Sequence, residues 1–225
     1  MANFLFLSPL GWTHHVWDLV VDLPSIKDNW TSLEFLETSF PTISKDTIRQ
    51  KIATQLDTLE SPKIVIAASF GVPVLLDYLQ KHPTQLNALI LIDGFDEIPD
   101  LQQLPVLFEN QKETFSTQEA YLDEMVSSDS PVGEEVASIL FKNLQKEESA
   151  YRVRLGNRAA INYLGLYSGF DSQEALLPAV NQTEKVILFF HIPLALPHHL
   201  IHPQDHLLML TQPEQLKNTL VKLPE

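Results

Sequence analysis

Short runs of apolar residues alternate with longer amphipathic stretches through the first half of the chain. Four such runs, each bounded by polar or turn-forming residues, lie at residues 4–7, 33–36, 64–67 and 88–92. An uninterrupted apolar run of this length is typical of a strand buried on both faces, because both sets of alternating side chains must then be apolar. The four runs therefore predict strands of a parallel sheet.

The stretches between these runs have helical spacing. One predicted helix begins behind a Ser44 cap and runs to residue 59, with its apolar residues on one face. A second follows Ser69 and ends before Pro83, because proline disfavours helical geometry in the preceding residue. Strands that alternate with helices in this way predict an α/β domain with a doubly wound, mostly parallel sheet.

The pattern changes after residue 98. A long segment then shows helical spacing, at residues 134–145 and 152–167, and no strand pattern. Strand character returns near the C-terminus, at residues 185–190 and 200–201, and a last helix is predicted over residues 213–221. We therefore expect one domain over residues 1–225, with a core formed by residues 1–98 and 175–225 and a helical cap formed by residues 99–174.

Composition supports a folded domain and excludes several classes of partner. The 225 residues are 44% hydrophobic and 20% charged, which is enough apolar content for a sizeable core. The formal charge of −14 repels nucleic acids and anionic membranes. The chain contains no cysteine, no apolar run of membrane-spanning length, no signal-peptide pattern and no glycine-rich nucleotide fingerprint. We expect a cytoplasmic protein without disulfides and without a cofactor.

The strongest chemical signal is the sequence Ala67-Ala68-Ser69-Phe70-Gly71, where the third predicted strand meets the following helix. Small residues around a serine let two backbone segments pack closely at a tight turn, so that the hydroxyl protrudes above the sheet as a nucleophile. The start of the helix favours developing negative charge and offers the Phe70 N–H as an oxyanion donor. The alternative is a serine that only caps an ordinary helix.

Two further segments carry features of one enzyme family. Asp205-His206 lies just before the last predicted helix, and Ser8-Pro9-Leu10-Gly11 follows the first predicted strand, with Trp17 a few residues later. Together with the Ser69 turn, these segments resemble the α/β-hydrolase family. In that family the catalytic histidine precedes the final helix, and the oxyanion loop has His-Gly where this chain has Ser8-Pro9.

The resemblance covers nearly the whole chain and assigns roles to several residues. It implies that His206 is the catalytic base, that the Leu10 N–H is the second oxyanion donor, and that Gly11 and Trp12 lie beside the substrate. The first strand of this chain matches the family's third, which implies a sheet abbreviated at its N-terminal edge. The cap would then follow the equivalent of the family's sixth strand.

The acid of the expected triad departs from the family's usual position. In most members it follows the next-to-last strand, but here that strand is followed by His191-Ile-Pro-Leu-Ala-Leu, which contains no carboxylate. Some hydrolases take the acid from the end of the strand after the nucleophile, where this chain has Asp93. A turn-capping aspartate is the structural alternative for Asp93, and Asp96 is a weaker substitute for the acid.

The resemblance implies a serine hydrolase that acts on a small carboxylic ester or related acyl substrate through Ser69, His206 and Asp93. Its partner would be a small molecule. A catalytically degenerate hydrolase fold that binds rather than reacts is one alternative, because the usual acid is missing. A lyase that uses the same serine and histidine is another.

The histidines suggest a metal hypothesis. Seven of the eight lie in two clusters, His14-His15 and the five between His191 and His206, and imidazole with Asp205 could bind a metal ion. The chain has no HExxH or comparable helical spacing. We therefore expect no metal at the site.

Overall fold

The computed structural model describes residues 2–38, 43–96, 98–100, 102–125, 132–191, 196–201 and 206–223. Its strands are β1 Asn3–Leu7, β2 Trp30–Leu33, β3 Lys63–Ala68, β4 Leu86–Ile92, β5 Thr114–Phe115, β6 Leu144–Lys146, β7 Tyr151–Val153, β8 Thr183–Phe190 and β9 His199–Leu200. Its α-helices are α1 Asp18–Val21, α2 Lys45–Thr58, α3 Gly71–Lys81, α4 Leu104–Phe108, α5 Gln118–Met125, α6 Glu134–Phe141, α7 Asn157–Leu166, α8 Ser172–Asn181, α9 Leu208–Thr211 and α10 Pro213–Leu220. A 3-10 helix covers His14–Trp17. None of the described helices is long and apolar enough to cross a membrane.

Six strands form the main sheet in the order β2-β1-β3-β4-β8-β9, and each described pair is parallel. Successive strand residues point to opposite faces. In β3, Val65 and Ala67 therefore join the core under α2, α3 and α8, while Ile64 and Ile66 join the core under α1 and α10. Helices cover both faces, which confirms the predicted doubly wound sheet.

The predicted α2 is also confirmed, with its cap. The Ser44 hydroxyl accepts a hydrogen bond from the Thr47 N–H at 3.1 Å, and the apolar face buries Ile48, Ile52 and Leu56. The β2 strand, by contrast, ends at Leu33, where the sequence pattern predicted it to begin. Because β2 is an edge strand with half-exposed side chains, it needs no apolar run, and the apolar residues that suggested a strand lie beyond its end.

The expectation of an all-helical cap is wrong. Within residues 99–174, the strands β5, β7 and β6 form a small antiparallel sheet, in which Thr114 pairs with Arg152 and Leu144 with Val153. Strands of two or three residues are too short to show an alternating pattern, and they form through long-range hydrogen bonds that sequence periodicity does not reveal. Residues 99–174, the predicted cap, therefore contain both helices and strands. The helix α8 spans the predicted end of the cap and packs against α3.

Candidate active site

The turn after β3 holds Ser69 in a strained conformation. The φ angle of Ser69 is 51°, in the left-handed region that residues with a side chain rarely adopt. Its N–H donates to the Ile92 carbonyl at 2.9 Å, which ties the turn to the end of β4. At Gly71, a Cβ would lie 2.8 Å from the Leu7 carbonyl oxygen, so only glycine lets α3 start this close to β1. The small residues by which the sequence analysis identified this turn are therefore required by the close packing of the backbone.

The turn after β4 packs directly against the Ser69 turn. Asp93 also has a positive φ, of 53°, and Gly94 follows with a φ of 88°. A Cβ on Gly94 would lie 2.1 Å from the Ser69 carbonyl oxygen, which no side chain could tolerate. The close contact between these two turns fixes the position of the Asp93 backbone, and so of its Cβ, relative to Ser69.

The structure brings Ser69, His206 and Asp93 together in one hydrogen-bonded chain. The His206 Nε2 lies 2.8 Å from the Ser69 Oγ, and the His206 Nδ1 lies 2.6 Å from the Asp93 Oδ2. Both distances are those of strong hydrogen bonds. The imidazole comes from the segment just before α9, a short helix that the sequence pattern did not predict, and its side chain is 45% exposed, so a substrate can approach it.

The Asp93 carboxylate is 2% exposed and has a second histidine partner. The His191 Nδ1 lies 2.9 Å from its Oδ1, while His206 binds the other oxygen. Burial acts to raise the pKa of Asp93, but the hydrogen bonds and charges of His206 and His191 outweigh it, and the pKa is lowered. The carboxylate is therefore ionised at neutral pH and able to stabilise an imidazolium.

Sequence reasoning missed the contact between His191 and Asp93. The signal was the position of His191, directly after β8, where most of the family has its acid. Asp96, the alternative acid, has a 61% exposed side chain and lies 3.7 Å from the His191 Nε2. Within the described residues it makes no hydrogen bond to His206.

The predicted histidine clusters separate into different environments. His14 contacts Glu34 at 2.7 Å, and His15 contacts Asp18 at 3.0 Å. His202 and Asp205 lie outside the described residues. Among the described residues, one group has candidate metal-binding atoms within 4.8 Å of one another, formed by Asp93, Asp96 and His191. His206 is not a member of this group, and its contact is with the other oxygen of Asp93.

The two predicted oxyanion donors are the Phe70 and Leu10 amides. Phe70 is the N-cap of α3, where the helix dipole favours negative charge. Neither amide donates to another group among the residues that the structure describes. The loop that carries Leu10 is anchored by Ser8, whose fully buried hydroxyl accepts from the Trp17 Nε1–H at 3.1 Å. Ser8 thus has a structural partner where the family has histidine.

A cavity of about 530 Å³ lies between this loop and the cap. Its wall on the side of the loop is Leu10, Gly11 and Trp12, so both predicted substrate-binding residues line it. The cap contributes mostly apolar and aromatic side chains, among them Phe108, Phe115, Tyr121, Val153 and Leu155. Burial raises the pKa of Tyr121 to about 12, although a hydrogen bond with Asn143 acts in the opposite direction, so the phenol is neutral.

Comparison with known proteins identifies the fold. No family model matches the chain, and no curated protein sequence matches it.

Solved structures do match the fold of this chain. An E-2-(acetamidomethylene)succinate hydrolase has a TM-score of 0.70 and 15% identity, over 99% of this chain and 91% of that one. A carboxylesterase structure from Nitrososphaera gargenis has a TM-score of 0.65 and 15% identity, over 97% and 88%. A peroxisomal alpha-beta-hydrolase from Saccharomyces cerevisiae has a TM-score of 0.62 and 15% identity, over 97% and 74%. The motif resemblance and the backbone similarity agree, and the chain has the α/β-hydrolase fold.

Proposed function

We propose that this protein is a serine hydrolase that cleaves small carboxylic esters or related acyl substrates. The observation that carries the proposal is the hydrogen-bonded chain from the Ser69 Oγ through both nitrogens of His206 to the buried Asp93 carboxylate. A serine hydroxyl is a weak nucleophile on its own and becomes reactive when an oriented imidazole can take its proton. The strained turn presents the hydroxyl at the start of a helix, where negative charge is favoured.

The reaction would proceed in two steps. The Ser69 Oγ attacks the substrate carbonyl while the His206 Nε2 accepts the serine proton, and Asp93 stabilises the imidazolium that forms. The Leu10 and Phe70 amides bind the oxyanion of the tetrahedral intermediate. His206 then donates the proton to the leaving group, which departs as an alcohol and leaves an acyl-serine. In the second step His206 takes a proton from water as the water oxygen attacks the acyl carbon. It then returns that proton to the Ser69 Oγ as the acyl–serine bond breaks, which releases the acid and restores the free serine.

The cavity beside the Leu10 loop and the charge of the protein favour a small, uncharged or cationic substrate. The cavity adjoins the site through Leu10, the proposed oxyanion donor, and none of the three triad residues lines it. The cavity of about 530 Å³ is lined mostly by apolar and aromatic side chains. Lys112, the cation in its wall, is paired with Glu124 at 2.6 Å. The net charge of −14 disfavours anionic substrates at longer range. Carboxylesterases and a hydrolase among the structural neighbours are consistent with ester chemistry, at identities of 15%.

The position of Asp93 also disfavours a non-catalytic protein. That alternative was considered because no carboxylate follows β8 in the usual place of the acid. Asp93 lies at hydrogen-bond distance from the His206 nitrogen that faces away from Ser69, which is the place an acid must occupy. No observation in the site favours lyase chemistry over hydrolysis. A small-molecule partner and a cytoplasmic location remain predictions.

A fluorophosphonate probe tests the proposal, because it forms a covalent bond only with an activated serine. We expect labelling at Ser69, located by peptide mass mapping, together with hydrolysis of p-nitrophenyl butyrate. Ser69→Ala should lose both, while Ser138→Ala, at an exposed cap serine, should keep both. A folded wild-type protein that takes up no label would contradict the proposal and favour the binding protein.

A further inference from the structure

Two histidines share the buried carboxylate of the site, and the proposed mechanism uses only one of them. We propose that His191 is a positioning residue. It donates its Nδ1–H to the Asp93 Oδ1 and so holds the other oxygen, Oδ2, in line with His206. This role rests on the proposed function.

Strand register places His191 beside the carboxylate. β4 and β8 are parallel neighbours in which Ile92 pairs with Phe189, and the Asp93 N–H donates to the Phe189 carbonyl at 2.8 Å. The carboxyl ends of parallel neighbours meet at the same edge of the sheet, so residues one and two places beyond the Ile92–Phe189 pair lie close together. Asp93 and His191 occupy these places.

The carboxylate needs a second donor. Asp93 is 2% exposed, and the terminal torsion of an aspartate is soft, so one hydrogen bond does not fix its plane. Within the described residues, His206 and His191 are the groups that hydrogen-bond to its side chain. Without His191, the Oδ1 would be buried without a partner, and the carboxylate could rotate away from the His206 Nδ1.

The His191 ring is itself held in place. It contacts the Phe190 ring at 5.0 Å between centroids, and Phe190 packs edge-on against Phe95 at 4.8 Å. Its Nε2 faces Asp96 at 3.7 Å, beyond hydrogen-bond range, whereas its Nδ1 lies within range of Asp93. The proton for the hydrogen bond therefore resides on Nδ1. The charge and hydrogen bond of His191 also help to lower the pKa of Asp93.

Three substitutions separate positioning from packing. His191→Phe keeps a ring against Phe190 and removes the donor, whereas His191→Asn keeps a donor at similar reach. We expect H191F to lower kcat for a p-nitrophenyl ester, and the rate of fluorophosphonate labelling, by roughly 10- to 100-fold, the range for a hydrogen bond to an ionised group. KM should change by less than about twofold, because no substrate contact is lost. H191N should recover most of the rate, and His199→Leu, at an exposed histidine in β9, should leave it unchanged.

The decisive comparison is made without the carboxylate. In an Asp93→Ala background His191 has nothing to position, so adding H191F should change the residual rate by less than about twofold. Thermal unfolding monitors each fold, and His191→Ala repeats the comparison if H191F does not fold. A loss of rate that is equally large with and without Asp93, or an H191F enzyme as fast as the wild type, would overturn the role of His191 alone. A wild-type protein that neither turns over ester nor labels would overturn the proposed function instead.

Discussion

Replacing Asp93 by asparagine tests the acid with the smallest change of shape. The carboxylate accepts hydrogen bonds from His206 at 2.6 Å and from His191 at 2.9 Å. An amide has one accepting and one donating side, so it can satisfy only one of these donors. When its NH₂ faces His206, the Nδ1 must accept and the imidazole proton moves to Nε2, where it points at the Ser69 Oγ. In this tautomer His206 cannot take the serine proton.

The size of the effect follows from two losses. The imidazolium that forms in the transition state loses its counter-charge, and at about 4 Å between charge centres and an effective dielectric of about 20 this interaction amounts to roughly 4 kcal/mol. Such a loss lowers the rate by roughly 10³-fold. The wrong tautomer adds to it, and acid-to-amide replacement in serine proteases lowers kcat by roughly 10⁴-fold. We expect D93N to lie between these values.

Steady-state hydrolysis of p-nitrophenyl butyrate measures kcat, and circular dichroism reports whether the fold is kept. Asp96→Asn is the matched control, because that side chain is 61% exposed and makes no hydrogen bond to His206 among the described residues. It should retain kcat within about threefold of the wild type, as expected for a change at an exposed site. If D93N loses less than about tenfold while remaining folded, Asp93 is not the triad acid and the reasoning from the 2.6 Å contact fails.

Three further predictions concern the turns, pH and metal. Gly94→Ala should lower the free energy of unfolding in urea by roughly 3 kcal/mol or more, because its Cβ would lie 2.1 Å from the Ser69 carbonyl oxygen. Gly169→Ala, with a positive φ but open space, should cost only ~1–2 kcal/mol, and equal losses would refute the role of the close approach. Because folding lowers the pKa of Asp93, its stabilising effect is present above its unfolded pKa of about 4 and is lost as pH falls through the folded value. The stability gap between wild type and D93N, from urea titrations, should therefore shrink below about pH 4, and a gap independent of pH would contradict this. Esterase activity should survive EDTA, and activity that EDTA removes and zinc restores would favour a metal site instead.

The central fold was predictable because burial on both faces leaves a strong trace in sequence. β1, β3 and β4 lie inside the sheet, so the positions along them are apolar apart from Asn3, Lys63 and Asn87 near their N-terminal ends, and the apolar runs identify them. The edge strand β2 and the short strands of the cap have half-exposed side chains and no such trace. Their position depends on long-range pairing, which local pattern does not encode.

The residues of the candidate site likewise differ in how clearly the sequence indicates them. Ser69 was found because its turn demands small neighbours, and His206 because it precedes the last helix. Asp93 followed from its place at the end of β4, although sequence could not show which way its side chain points. His191 was missed as a partner of Asp93, since a contact between the ends of two strands depends on their register.

The geometry of adjacent strand ends explains how an acid can change strands without disturbing the rest of the site. β4 and β8 are neighbours about 4.8 Å apart, so a carboxylate at the end of either strand can reach the same imidazole nitrogen. When the acid follows β4, the position after β8 is available to another residue. A buried carboxylate with one oxygen that lacks a partner is stabilised by a hydrogen-bond donor at that position. His191 occupies that position and lies 2.9 Å from the carboxylate. In this fold, the residue after β4 and the residue after β8 are therefore expected to depend on each other, because an acid after one strand favours a hydrogen-bond donor after the other.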